Sequence, residues 1–162
     1  MSGSQRKEEA ILLVLAALLL VVGVLVYAID RDGAAYFLAG WTAGHGGGEL
    51  FGPLADHLPT FVHVLAIVLL TAAVLRPWPK LLPAIALGWF AVECLFELGQ
   101  LSPLDTRIAA AIPAWLDDVP VLEASADYFI NGTCDPFDIL SIGLGAAVAF
   151  CIVRTIERGD LP

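Results

Sequence analysis

Positive charge is scarce in this chain: eight Lys and Arg stand against 17 Asp and Glu, for a net charge of −9. Proteins that grip phosphate backbones do so with clustered Lys and Arg, so this composition excludes a nucleic-acid partner. Cysteine is scarce too. Cys94, Cys134 and Cys151 are an odd set without CxxC spacing, which provides neither a disulfide framework nor a zinc motif. HExxH and GxSxG are both absent, so the His45-Gly46-Gly47-Gly48 run lacks the nucleophile elbow that accompanies an HGGG oxyanion loop. From these absences no metal and no cofactor is expected.

Apolar side chains are abundant instead. The chain is 59% hydrophobic with a mean hydropathy of +0.83, against about 45–50% apolar residues in soluble domains. The whole of 1–162 is therefore expected to form a single membrane domain. Its apolar residues fall in four runs, about Ala10–Ile29, Leu58–Leu75, Leu81–Gln100 and Pro136–Arg154, each near the length of a helix that crosses roughly 30 Å of hydrocarbon. The expected fold is all-α, an integral membrane four-helix bundle. Val26 and Ala28 suit the small-residue positions of a signal-peptide cleavage site. The first run nevertheless exceeds the usual apolar region of about 7–15 residues and is read as a permanent helix.

The few cations are unevenly placed. Arg6, Lys7, Arg76, Lys80, Arg154 and Arg158 fall on one side of the four runs, and only Arg31 and Arg107 on the other. The positive-inside rule then puts both termini in the cytoplasm and the two long loops outside. Asp30, Asp32, Glu49 and Asp56 outweigh Arg31 in the first loop; Asp105, Asp117, Asp118, Glu123, Asp127 and Asp135 outweigh Arg107 in the second. Such loops attract cations and repel anionic polymers, over a range limited by salt to about 8–10 Å.

Both loops carry local structure. Gly44, Gly46, Gly47 and Gly48 predict a turn around His45, and Phe51-Gly52-Pro53 predicts another. Ile108, Ile112, Trp115 and Leu116 recur at helical spacing, as do Leu122, Ala126, Phe129 and Ile130. Short interfacial helices are expected in the outer loops, with Trp115, Tyr128 and Trp41 at headgroup level. Asp135-Pro136-Phe137-Asp138 reads as a helix N-cap, a proline at the first position and an acid facing free amides. Ser141, Gly143, Gly145, Ala146 and Ala147 then predict a close helix-packing face.

The polar groups inside the third run are the main functional signal. Glu93, Glu97 and Gln100 share one narrow face of a helix, and a carboxylate near the centre of a membrane costs about 2.5–3.5 kcal/mol. With the third helix running outward, Gln100 lies at its outer end, Glu97 about 4–5 Å deeper and Glu93 about 10 Å deeper. His63 lies about 7–8 Å below the outer end of the second helix. Asp135, Asp138 and Arg107 belong to the same surface. His63, Glu93, Glu97, Gln100, Arg107, Asp135 and Asp138 are thus expected to line one outer-leaflet pocket. The inner half, with Leu82, Ala84, Ala86, Ala147 and Val148, carries no ionisable relay, which argues against transport.

A histidine near the outer start of one helix, Glu97-Leu98-Gly99-Gln100 ending the next, and Gly132-Thr133-Cys134-Asp135-Pro136-Phe137-Asp138 entering the last resemble the VanZ-like family of small multi-pass membrane proteins. The likeness covers about the last two-thirds of the chain. Where that family commonly has an aspartate four residues before the histidine, this chain has Pro59, with Asp56 the nearest upstream acid. The resemblance implies a bacterial inner-membrane protein of the cell envelope. The expected function is binding of an envelope or lipid-linked ligand, with membrane lipids around it. The alternatives are a membrane enzyme acting on lipid or glycan headgroups, with Glu97 as base and His63 or Asp138 as partner, and a structural subunit. A homo-oligomer or a membrane-protein partner is compatible with each.

Overall fold

A computed structural model of the chain describes residues 3–30, 50–119, 122–123 and 125–158. These residues are almost entirely helical and include no strand. Six α-helices follow in order: α1 (Gly3–Asp30), α2 (Leu58–Val74), α3 (Leu82–Gly99), α4 (Leu104–Ala111), α5 (Ser125–Asn131) and α6 (Pro136–Arg158). Short 3-10 turns precede α2 and α3 and follow α4. The expected turn around His45 and the position of Trp41 lie outside the described residues.

Three helical segments, Gln5–Asp30, Pro79–Gly99 and Pro136–Arg158, are long and apolar enough to cross a membrane. The second expected span is the exception. α2 has 17 residues, which at helical rise cover about 25 Å. It is also the most enclosed helix. Val64, Val68 and Leu69 are fully buried, because α1, α3 and α6 all pack on α2. A helix that is apolar on every side finds its place in such a centre.

The pairing of α2 with α6 sets the geometry. A Cβ on Gly145 would lie 2.7 Å from the carbonyl oxygen of Phe61, so the two backbones meet where only glycine fits. His57 contacts Asp138, Phe61 meets Gly145 and Arg76 contacts Glu157. Contacts in this order mean that α2 and α6 run parallel. The buried face of α6 comprises Ile142, Gly145, Ala146, Ala149, Val153 and Ile156. Ala147, expected on that face, is exposed, since it lies about 200° around the helix from Gly145.

Two internal polar contacts and one charged cluster complete the packing. The indole of Trp89 donates to the Thr71 hydroxyl at 2.9 Å, and that hydroxyl donates to the Ile67 carbonyl at 2.8 Å. Both polar groups are thereby satisfied away from water. Beyond the C-terminus of α2, Arg76 is 8% exposed and pairs with Glu8 of α1 and, at 3.0 Å, with Glu157 of α6. At the opposite end, the Asp30 carboxylate accepts the amides of Leu50 and Phe51 at 3.1 and 2.7 Å. The chain then turns through Gly52, whose φ of 51° suits glycine.

Gly145→Ala is expected to lower stability by about 1–3 kcal/mol, because a backbone oxygen blocks the new methyl group. Gly143→Ala, whose nearest neighbour is a Phe90 ring carbon at 3.5 Å, should be close to neutral; thermal unfolding in detergent compares the two. Arg76→Met removes one partner from each of two carboxylates, while Glu157 keeps its contact with Arg154 at 3.2 Å, and should cost about 1–3 kcal/mol in the same assay.

Candidate functional site

The start of α6 follows from its sequence. Oδ1 of Asp135 accepts the Phe137 amide at 2.8 Å, and its carbonyl accepts the amides of Asp138 and Ile139 at 3.0 and 3.3 Å. Asp135 is the N-cap, as expected. Asp138 does something else: its Oδ1 meets Nδ1 of His57 at 2.9 Å and accepts the Thr60 hydroxyl at 3.4 Å. It therefore joins the first turn of α6 to the first turn of α2. The hydrogen bond that the His57 ring donates to the Asp138 carboxylate, helped by the negative charges of Asp138, Asp135 and Asp56, holds the His57 imidazole above its ordinary pKa. The His57 ring also lies 5.7 Å from that of Phe137.

On α3, Glu97 is buried, at 8% exposed. Its Oε1 accepts two long hydrogen bonds of 3.5 Å, from the Gln100 amide and the Tyr128 hydroxyl. Its Oε2 is buried without a hydrogen-bond partner. Asp138, Glu93 and Asp135 are the acids near this carboxylate. The loop helices close over it. Phe129 of α5 stacks on Phe96 at 5.8 Å and abuts Gly99, while Gly132 leaves just enough space for the Gln100 side chain.

One turn deeper, Glu93 meets Nε2 of His63 at 3.3 Å, linking α3 to α2. The His63 side chain is 55% exposed on the outside of the helices. Six of the seven expected residues thus gather at the end where α2 and α6 begin: His63 with Glu93, Glu97 with Gln100, and Asp135 with Asp138. Arg107 does not join them. It lies exposed on α4 and forms no ion pair among the described residues. Comparison of the chain with protein-family models, with curated proteins and with solved structures found no match.

Three further residues belong to the site. His57 and Thr60 bind Asp138, and Tyr128 binds Glu97. His57 carries a sequence signal, since it directly precedes the apolar run of α2 at the same surface as Asp135 and Asp138. Tyr128, expected at headgroup level, turns inward because α5 packs Phe129 against α3. The expected helix over Ile108–Leu116 is broken where Ile112 turns extended before Pro113, and Trp115 remains exposed. The short α5 forms where the second repeat predicts it.

Chemically, the cluster is a set of hydrogen-bond acceptors with two imidazoles. Carboxylates accept hydroxyl and ammonium donors, and a carboxylate-bound imidazole can give or take a proton. An apolar groove of about 460 Å³ between α1 and α6, lined by Leu15, Ala147, Val148, Cys151, Ile152 and Thr155, contains none of these residues.

Glu97→Gln is expected to raise the unfolding temperature, since it removes a buried, poorly hydrogen-bonded carboxylate from beside three other acids. Tyr128→Phe, which deletes a donor and leaves the acid in place, should lower stability by about 0.5–1 kcal/mol. Paired thermal unfolding curves in detergent check both.

Proposed function

We propose that this chain is a four-helix integral membrane protein with both termini in the cytoplasm, whose outer-leaflet polar pocket binds a cell-envelope or lipid-linked ligand. The observation that carries this reading is the buried Glu97 carboxylate with one unpartnered oxygen. Such a group costs stability, and a protein retains it where a ligand completes its hydrogen bonding. The polar cluster lies at one end of helices whose middles are largely apolar, where a lipid-anchored molecule would present its headgroup.

The orientation is supported by the six cations at the Arg76 end and by the acidic loops at the other. α2, although short, is extended by His57 on one side and Leu75-Arg76 on the other. The VanZ-like resemblance of the Glu97-to-Gln100 and Gly132-to-Asp138 segments agrees with a bacterial inner-membrane envelope protein. The acceptor-rich lining favours the hydroxyl-bearing or amine-bearing part of a ligand over a bare anion.

A second reading has one observation in its favour. The 2.9 Å contact between His57 and Asp138 orients an imidazole on a carboxylate, an arrangement suited to acid–base catalysis on a headgroup. Of the two partners expected for Glu97, His63 is engaged by Glu93, which leaves Asp138.

Native mass spectrometry of gently solubilised wild type and Glu97→Gln tests the binding reading. The wild type should retain a defined lipid or glycolipid that the variant, at least as stable, loses. Equal retention by both removes the carboxylate from binding, and no retention by either points to a structural subunit. Turnover of the retained molecule by wild type, abolished in His57→Gln, would favour the catalytic reading.

A further inference from the structure

The mouth of the site carries more negative charge than its own folding uses. Among the described residues, the hydrogen bonds accepted by the carboxylates of Asp135 and Asp138 all end on Oδ1. No Lys or Arg pairs with Asp135, Asp138 or Glu97 there. His57 is the one basic side chain in the group.

We propose that His57, Asp135 and Asp138 form a binding site for a divalent transition cation, Zn2+ or Mn2+. One donor atom from each residue lies within 4.8 Å of the other two. The 2.9 Å between His57 Nδ1 and Asp138 Oδ1 is also close to the spacing of adjacent ligands on a metal with bonds of about 2.0–2.2 Å. The donors come from two packed helix starts, so their separation is held by the α2–α6 contact at Gly145 rather than by a flexible loop. All three side chains are partly buried, which limits competition from water while leaving a path for an ion.

A further observation agrees with a cation here. The Oε2 atom of Glu97 is buried without a hydrogen-bond partner, and Asp138 and Asp135 are among the acids near it. Glu97 lies outside the ligand set. It contributes a negative field that a positive ion at the cluster offsets, whereas the Thr60 hydroxyl holds Asp138 as an outer partner.

The donor chemistry selects the ion. One imidazole nitrogen with two carboxylate oxygens suits Zn2+ or Mn2+, whereas Mg2+ and Ca2+ favour oxygen alone. On binding, the cation takes the His57 Nδ1 lone pair and displaces the proton shared with Asp138, which leaves to solvent. Three protein ligands leave a coordination position for water or for an oxygen of a bound molecule. The site does not depend on the identity of any envelope ligand.

Calorimetric titration of chelator-stripped, detergent-solubilised full chain with Zn2+ and with Mn2+ is the test. One equivalent per chain is expected, with affinity falling at least tenfold in His57→Gln, Asp135→Asn and Asp138→Asn. Asp105→Asn, at the start of α4 and outside the ligand set, should match the wild type. Absence of saturable one-equivalent binding by wild type, or undiminished affinity in His57→Gln and Asp138→Asn, overturns the proposal. Should those variants misfold, the wild type still decides: Cu2+ bound at one equivalent must show imidazole nitrogen coupling in its electron paramagnetic resonance spectrum, and an all-oxygen spectrum overturns the site.

Discussion

The backbone contact between Gly145 and the Phe61 carbonyl is the constraint on which the rest of the structure depends. It brings α2 and α6 together without intervening side chains, in parallel, with their first turns side by side. α1 and α3 then pack on this pair and complete the enclosure of α2. The contacts of Asp138 are referenced to that crossing. His57 and Thr60 lie within the turn before Phe61, and Asp138 lies two turns before Gly145.

Parallel neighbours place two helix N-termini together, each with partial positive charge. Asp135 and Asp138 occupy the place where that charge is most favourable to them. Glu97 approaches from α3, whose C-terminus lies at the same end, and it receives none of that help. The same cluster therefore holds two acids in favourable fields and one in an unfavourable field. This contrast distinguishes acids whose surroundings favour their charge from one whose surroundings do not. The loop helices matter for the same reason: Phe129 against Gly99 and Gln100 against Gly132 seal Glu97 from water.

Much of this was legible in the sequence where the signal is local. The apolar runs of α1, α3 and α6, the N-cap at Asp135, the placement of α5 and the clustering of Glu97 with Gln100 all arise from periodicity or from capping chemistry within a few residues. The partners of Asp138 and Arg76 were not legible, since they depend on a crossing between helices some 80 residues apart. Arg107 looked close because it follows α3 in sequence, yet α4 carries it outward. Tyr128 was read as an interfacial aromatic because its pattern does not show that Phe129 turns the helix toward Glu97. The proposed metal ligands escaped motif reading for the same reason, as His57 is far in sequence from the two aspartates.

The two charged contacts at the ends of the parallel pair have a further consequence. Nineteen residues separate His57 from Arg76, and nineteen separate Asp138 from Glu157. Along α6 this corresponds to about 28 Å, close to the thickness of a bilayer's hydrocarbon layer. In the proposed membrane setting the pairs act as a thickness gauge. A thinner bilayer is met by tilting both helices as one unit, because sliding either past the other breaks a pair at each end. Inserting a single residue into one helix alone would turn one end by about 100° and destroy that match.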